Sequence, residues 1–288
     1  MLIIKLKGGL GNQLFQYAFG RLIALRRGED LKLDKDILGQ RGDTYRAYGL
    51  DNFNIRAEIA SREEVLKVKY PYGLISKALR FFKAKFLRIF HIGFEARMLK
   101  TKARYLEGFF QSYKYLESIR RELLEEITLK DKSFELKYFA ILQEIKTSES
   151  VALHIRRGDY VNNPATKKAH FICDLSYYQK AINLIKEKLN EKNLTPKFFV
   201  FSDDINWAKE NFKLFDFIFV SRPEFLDPEE LILMSKAKHN IISNSSFSFW
   251  SAWLNNNPEK IVIAPALWNR KYRRAYKDLI PEDWLRVQ

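Results

Sequence analysis

Cysteine is nearly absent. Cys173 stands alone among 288 residues, which excludes a disulfide framework and any zinc site built from several thiolates. The four histidines, His91, His154, His170 and His239, show no metal-ligand spacing, and Cys173 has no obvious histidine partner, so thiol catalysis is not expected. No run of about 18 apolar residues occurs, so no membrane-spanning helix is expected. Met1–Leu10 lacks a charged leading region and breaks at Gly8-Gly9, so it does not read as a signal peptide. There is no internal repeat and no low-complexity tract. Acids are scarce relative to bases, 35 against 50, for a net charge of +15. That excess attracts nucleic acid, anionic membrane or phosphorylated ligands alike. What is abundant is apolar: 47% hydrophobic and 15% aromatic residues. A chain of this length buries about 75% of its unfolded surface, so it needs neither disulfides nor metals to fold, and its length suggests two domains. The expectation is a soluble cytoplasmic protein.

The charge is unevenly placed. Residues 1–148 hold 29 Lys/Arg against 18 Asp/Glu, a net of +11, and residues 149–288 hold 21 against 17, a net of +4. Leu74–Phe90 carries Lys77, Arg80, Lys83, Lys85 and Arg88 with no acid. Its apolar residues Ile75, Leu79, Phe82, Phe86 and Ile89 fall on one helical stripe. That segment reads either as an ordinary amphipathic helix or as a peripheral contact with an anionic membrane.

Hydrophobic periodicity divides the chain into two alternating series. The first opens with a strand at Leu2–Leu6, a Gly8-Gly-Leu-Gly11 turn, a helix from about Asn12 to Arg27 ended by Gly28, and a strand at Leu31–Asp34. Residues 40–110 give mixed signals, and a helix is expected over Ser112–Leu129. The second series has strands at Val151–Ile155, Lys197–Ser202, Phe217–Val220, Asn240–Ser243 and Lys260–Ala264. Its helices are expected at Tyr177–Leu189, Asn206–Asn211, Glu229–Ala237 and Ser246–Asn255. Such alternation means βα units and parallel sheets, here two Rossmann-like domains divided near residue 148.

Four constellations could carry chemistry. At Gly8-Gly-Leu-Gly-Asn-Gln13 the glycines let backbone approach a ligand, and Asn12 and Gln13 at a helix start suit hydroxyls or phosphate. A dinucleotide fingerprint with Asp34 as ribose acid fails, because its third glycine position is Leu14. In His154-Ile-Arg-Arg-Gly-Asp-Tyr160, two arginines follow an apolar strand at the end where α/β sheets bind ligands. Their planar forks match phosphate oxygens, unless Asp159 takes one of them in a structural pair. Phe198-Phe-Val-Phe-Ser-Asp-Asp204 ends a strand in Ser202 and two acids. These could hold a metal, clamp a nucleobase or ribose, or, for one of Asp203 and Asp204, cap the helix that follows. In Asn244-Ser-Ser-Phe-Ser-Phe-Trp-Ser-Ala-Trp253, Ser245 and Ser246 fall at a helix N-terminus suited to phosphate. That turn is also a plain serine cap in form, and Phe249, Trp250 and Trp253 read as core in either case.

Together Gly9-Leu-Gly-Asn-Gln-Leu-Phe-Gln-Tyr-Ala18, His154–Tyr160, Phe201-Ser-Asp-Asp204 and Asn244–Trp250 resemble the α-1,2-fucosyltransferases, glycosyltransferase family 11. The likeness extends to Gly108-Phe-Phe-Gln-Ser112, Tyr177-Tyr178 and Leu233-Met-Ser235; Phe249 stands where tryptophan is usual and Ala237 where cysteine is common. The resemblance implies an α/β fold of GT-B type, two Rossmann-like domains with parallel sheets facing across a cleft. Residues 1–148 would form the acceptor side and 149–288 the donor-binding domain. It implies GDP-L-fucose as donor, the 2-hydroxyl of a terminal galactose on a surface glycan as acceptor, inversion at the anomeric carbon, and no metal or other cofactor. Arg156 would hold the β-phosphate with help from Arg157, with Ser245 and Ser246 beside them. His154 and Asp204 would lie near guanine and ribose, and Asn12 near the sugar-phosphate. The donor set is then Asn12, Gln13, His154, Arg156, Arg157, Ser202, Asp203, Asp204, Asn244, Ser245, Ser246 and Phe247. Arg156 and Asp159 would be the catalytic pair, Asp159 orienting an arginine and no general base assigned. The alternatives are a fucosyltransferase of another linkage, a dinucleotide oxidoreductase, or a basic nucleic-acid-binding protein.

Overall fold

The computed structural model describes residues 1–39, 46–82, 91–158, 173–213, 216–269 and 272–288. The chain divides into two compact units, Met1–Ile127 with Ala275–Leu279, and Thr128–Arg274 with Ile280–Gln288.

In the first unit, β1 (Leu2–Lys5) leads into α1 (Leu10–Arg27) and β2 (Leu31–Asp34). Then come β3 (Glu58–Ile59), α2 (Arg62–Lys69), α3 (Leu74–Phe82), β4 (Tyr105–Leu106), α4 (Tyr113–Leu116) and α5 (Arg120–Glu126). The strands form a parallel sheet in the order β3-β2-β1-β4. β1 buries Leu2, Ile3 and Ile4, as a central parallel strand must on both faces. α1 buries most of its surface and ends at Gly28 in the left-handed conformation, with Arg26 and Arg27 in its last turn, where cations complement the helix dipole. Ser61 and Glu64 form a capping box that starts α2, a Ser-x-x-Glu signal legible in the sequence. The single helix expected over 112–129 is broken instead: α4 and α5 are separated by a 3-10 turn at Glu117–Ile119. Of the basic segment, α3 covers only the first part; Leu74 and Ile75 are exposed, and residues 83–90 lie outside the described residues.

The second unit comprises α6 (Phe134–Lys137), α7 (Phe139–Thr147), β5 (Glu149–Ile155), α8 (Leu175–Asn190), β6 (Pro196–Ser202) and α9 (Ile205–Asn211). It continues through β7 (Phe217–Phe219), α10 (Asp227–Ser235), β8 (His239–Ile241), α11 (Ser246–Leu254), β9 (Val262–Pro265) and β10 (Leu285–Val287). All six strands are parallel, in the order β10-β9-β8-β5-β6-β7. Counted along the chain this is the 3-2-1-4-5-6 order of the Rossmann fold. α8 packs Tyr177, Tyr178, Ala181, Ile182, Ile185 and Leu189 onto β5 and β6.

The division falls about twenty residues before the expected 148. α6 and α7 belong to the second unit because Lys137 pairs with Glu229 at 2.9 Å and Tyr138 donates to the same carboxylate at 2.7 Å. Lys197 also pairs with Glu144 at 2.6 Å. Conversely 275–279 returns to the first unit, where Ser112 donates to the Asp278 carbonyl at 2.5 Å and Lys114 pairs with the Asp278 carboxylate at 2.6 Å.

Candidate active site

In the second unit the chain order of the sheet reverses between β5 and β8, and α/β folds bind ligands beyond the carboxyl ends of strands at such a point. The register brings two motifs together there. Ile155 of β5 lies opposite Ser202 of β6, so the residues just beyond, Arg156 and Asp203, meet: Nη1 is 3.0 Å from Oδ2. One residue further, Arg157 Nε is 3.3 Å from Asp204 Oδ2, and the Arg157 guanidinium lies 3.8 Å from the Trp207 ring centre. Asp203 also accepts from the Arg157 backbone N–H at 2.8 Å. Each arginine thus has a carboxylate just beyond the neighbouring strand, partners that the reading of Asp159 alone as their local acid does not include. Asp159 lies outside the described residues. Gly158 suits this packing, since a Cβ there would sit 2.4 Å from Asp203 Oδ2 and displace that carboxylate.

The Asp203-Asp204 pair is therefore an ion-paired support, and Asp204 is also the cap foreseen for one of the two acids. Its Oδ1 accepts from Trp207 N at 3.2 Å at the start of α9. Among the described residues no group of three His, Cys, Asp or Glu is placed to hold a metal ion.

On the β8 side the chain runs through Ser243 and Asn244 to Ser245, whose Oγ accepts from Phe247 N at 3.3 Å and caps α11. Ser246 and Phe247 are half-buried at that N-terminus, while Phe249, Trp250 and Trp253 are core, as expected. Asn244 is buried, donating to the Trp268 carbonyl at 3.1 Å and accepting from the Cys173 thiol at 3.6 Å, bonds that hold the loop. Burial pushes the Cys173 thiol up to about 12, so it is protonated and not nucleophilic. His154 crosses the switch point, with Nδ1 2.9 Å from Ser243 Oγ and its ring 5.6 Å from that of Phe247. Burial, and then the Arg156 charge, lower its pKa to about 3, so it is a neutral hydrogen-bonding group at any working pH.

One residue escaped the sequence reading. Glu230, in the first half of α10, accepts from the Ser221 hydroxyl. Ser221 in turn accepts from Ser202 N at 2.8 Å, and Ser202 Oγ accepts from Asp204 N at 3.0 Å. Glu230 is thus tied to the carboxyl end of β6. Burial, reinforced by Asp227 and Asp203, raises its pKa to about 7. The acidic start of α10, Asp-Pro-Glu-Glu, has the form of an ordinary helix start; only the fold sets Glu230 near Asp203. The opening lined by Glu149, Lys186, Pro196, Phe198 and Phe217 lies at the opposite, amino end of this sheet.

The first unit carries Asn12 and Gln13. Gly8 has φ +82, and a Cβ there would fall 2.5 Å from Asn12 Nδ2, so this turn requires glycine. Gln13 is fully buried, donating to the carbonyls of Gly8 and Ala47 at 3.0 and 2.8 Å and accepting from Gly49 N at 3.1 Å. It fixes the 47–49 loop. Asn12 is half-buried and accepts from Gln111 Nε2 at 2.5 Å. Asp34, the acid a dinucleotide site would need, is buried and accepts from the Tyr105 hydroxyl and from Asp36 N, so the oxidoreductase reading loses its ribose contact.

The second unit thus has an arginine pair after β5 and a serine-capped helix start after β8, on either side of its switch point, within a two-unit chain of GT-B type. The model of glycosyl transferase family 11 matches residues 1–288, and the chain belongs to that family. It is 34% identical to an alpha-1,2-colitosyltransferase of Escherichia coli, covering 100% of this chain and 99% of that protein. It is 31% identical to the O-antigen biosynthesis glycosyltransferase WbnK of Escherichia coli, over 91% and 93% of the two chains. In fold it is similar to the crystal structure of fucosyltransferase NodZ from Bradyrhizobium, with a TM-score of 0.54, 15% identity, and coverage of 87% of this chain and 92% of that one.

Proposed function

We propose that the protein is an inverting α-1,2-glycosyltransferase that moves a 6-deoxyhexose, L-fucose in the first instance, from its GDP derivative to the 2-hydroxyl of a terminal galactose on a surface glycan. The observation that carries it is Arg156 just beyond β5 at the switch point, held by Asp203. Departure of GDP from the anomeric carbon develops negative charge on the β-phosphate. A guanidinium fixed in advance and the positive end of a helix dipole stabilise that charge without a metal. Arg157 assists, and Ser245, Ser246 and Phe247 shape the same end of the helix. The sugar cation left behind is attacked by the galactose hydroxyl from the opposite face. Asn12 is assigned to the sugar-phosphate by the family resemblance.

A second donor has a specific observation in its favour, since the 34% identical relative is a colitosyltransferase, and colitose is 3-deoxy-L-fucose. A site that hydrogen-bonds the 3-hydroxyl rejects the deoxy sugar strongly, whereas an apolar one tolerates both. The test is transfer to lactose and N-acetyllactosamine from GDP-fucose and from GDP-colitose, with and without EDTA. Transfer of one 6-deoxy sugar, undiminished by EDTA, is expected. Turnover of neither GDP sugar, or activity abolished by EDTA and restored by a divalent cation, overturns the reading.

Guanine offers N1–H and its amino group as paired donors, which a carboxylate accepts, and Glu230 is the carboxyl suited to that task. Binding favours its ionised form, so with a resting value near 7 GDP affinity rises as pH increases from about 6 to 8 and levels off above. Glu230→Gln weakens GDP binding and flattens that profile. Calorimetric titration across this range checks it, and identical slopes for both proteins count against Glu230.

A further inference from the structure

The turn that joins α2 to α3 in the first unit exposes an unusual amount of apolar surface. Tyr72 is 76% exposed, Leu74 80% and Ile75 67%, three large side chains within four residues. Single apolar side chains on a surface are ordinary, whereas a contiguous group rimmed by polar residues marks a place of contact. The turn has a defined conformation. Gly73, at φ 56, sets the reversal; its N–H donates to the Tyr70 carbonyl at 3.0 Å, and Lys77 N donates to the Gly73 carbonyl at 3.2 Å. The buried Ser76 hydroxyl accepts from Tyr72 N at 3.0 Å, which ties the tip to the first turn of α3. The rim is basic. Lys69 of α2 and Lys77 of α3 flank the Tyr70 ring, their ammonium groups 5.5 and 5.6 Å from its centre, and Lys67 is exposed on α2. From residue 65 to residue 94 the sequence has seven Lys or Arg and no Asp or Glu. The acid just before that stretch, Glu64, is taken by Lys32 and by the cap of α2.

A tip that is both apolar and cationic has few complementary partners. Leu74 and Ile75 have no counterpart on a nucleic-acid backbone. A second copy of this chain, itself at +15, would set like charges against each other. An anionic bilayer surface meets both halves: the boundary of the acyl chains receives the apolar side chains, the lysines stay among the headgroup phosphates, and a tyrosine suits the level between. We propose that the turn over residues 70–77 is a docking surface for an anionic phospholipid membrane, with Tyr72, Leu74 and Ile75 entering the interface and Lys69 and Lys77 meeting headgroup phosphates. No helix among the described residues is long and apolar enough to cross a bilayer, so the contact is with the membrane surface. It involves the first unit alone and stands independently of the glycosyl-transfer reading.

The experiment is co-sedimentation of the full chain, at physiological salt, with vesicles of phosphatidylcholine alone and of phosphatidylcholine mixed equally with phosphatidylglycerol. Binding to the mixed vesicles only is expected. A lysine at an anionic surface contributes about fivefold to the partition coefficient, so Lys69→Gln with Lys77→Gln lowers it by about tenfold or more. Tyr72→Ser, Leu74→Ser and Ile75→Ser together lower it further, with an unchanged melting temperature because all three side chains are exposed. A direct readout is Tyr72→Cys carrying a polarity-sensitive dye, which the buried Cys173 does not compete for. Its emission shifts to the blue with the mixed vesicles and not with phosphatidylcholine. Failure to sediment, equal binding to both vesicles, or a triple serine variant that binds like wild type overturns the proposal. So does an unshifted dye, or a dimer in vesicle-free solution that the serine variant abolishes, which would assign the turn to a second copy of the chain.

Discussion

Arg156→Ala is expected to lower kcat by a factor of about 10³, the scale seen when one fixed donor to a developing oxyanion is removed. The loss exceeds the removal of a charge. With Arg156 gone, the Asp203 carboxylate, 3.0 Å from it in the native protein, remains at the carboxyl end of β6 without that counter-charge and would repel a diphosphate bound there. Arg156→Lys restores a point charge but not the planar fork that holds Asp203 and phosphate together, so it recovers only part of the rate. Asp203→Asn relieves the repulsion but loosens the arginine, and combined with Arg156→Ala it is less harmful than the two losses multiplied. The fold is not at stake, because the Arg156 side chain is partly exposed and the core around β5 is apolar. The measurement is GDP release at saturating donor, with the melting temperature as control. Activity within about tenfold of wild type would falsify the assignment of Arg156 to the leaving group.

The largest stability effect is expected elsewhere, at Glu126. This carboxylate is 3% exposed and accepts from Arg21 Nε at 2.9 Å, with Arg21 Nη2 at 2.8 Å and the Tyr17 hydroxyl on its other oxygen. It joins α5 to α1 at the centre of the first unit, and Tyr17 carries the link onward by accepting from Arg56 N at 2.9 Å. Removing one member of a buried charge pair leaves the other desolvated without a counter-charge. Glu126→Ala should therefore cost about 3–5 kcal/mol and lower Tm by roughly 10 °C. Glu126→Gln keeps the shape and one acceptor and falls between. Calorimetry decides it: a Tm within about 2 °C of wild type would mean that water replaces the carboxylate, and that the network contributes little. GDP binding should be retained in the folded fraction, because Arg156, Ser245 and Glu230 belong to the second unit.

The parts of the fold legible in the sequence are those whose hydrophobic pattern is long enough to show a period. α1, α8, β5 and β6 fall within a few residues of where spacing puts them, and Gly28 stops α1 as read. β3 and β4 contribute two residues each and β10 three, too few for alternation to register. They are strands because neighbouring strands offer them hydrogen bonds. The site divides similarly. Strand ends announced where to look, since polar motifs follow apolar runs at residues 156, 203 and 244. Their partners were not legible, because they depend on register: Arg156 meets Asp203 only because Ile155 lies opposite Ser202. Gln13 and Asn244 depend on their surroundings in a related way. An amide beside a ligand-facing turn serves a ligand or the turn itself, and only the surrounding backbone, absent from a local motif, says which. Glu230 was invisible because its environment, not its neighbours in sequence, makes it unusual.

The return of residues 275–279 to the first unit bears on how this enzyme can be taken apart or recombined. Ala275 presses on Gly93 so closely that a Cβ on the glycine would lie 1.7 Å from the Ala275 carbonyl oxygen, and Asp278 is bound by Ser112 and Lys114. The polypeptide therefore passes from one unit to the other at residue 127, again at 274 and again at 279. No single cut separates them. A fragment ending at 127 lacks a strip of its own wall. A chimera that exchanges second units between relatives transplants that strip too, and the Gly93 and Ser112–Lys114 surfaces must come from the same parent as the carboxyl-terminal tail.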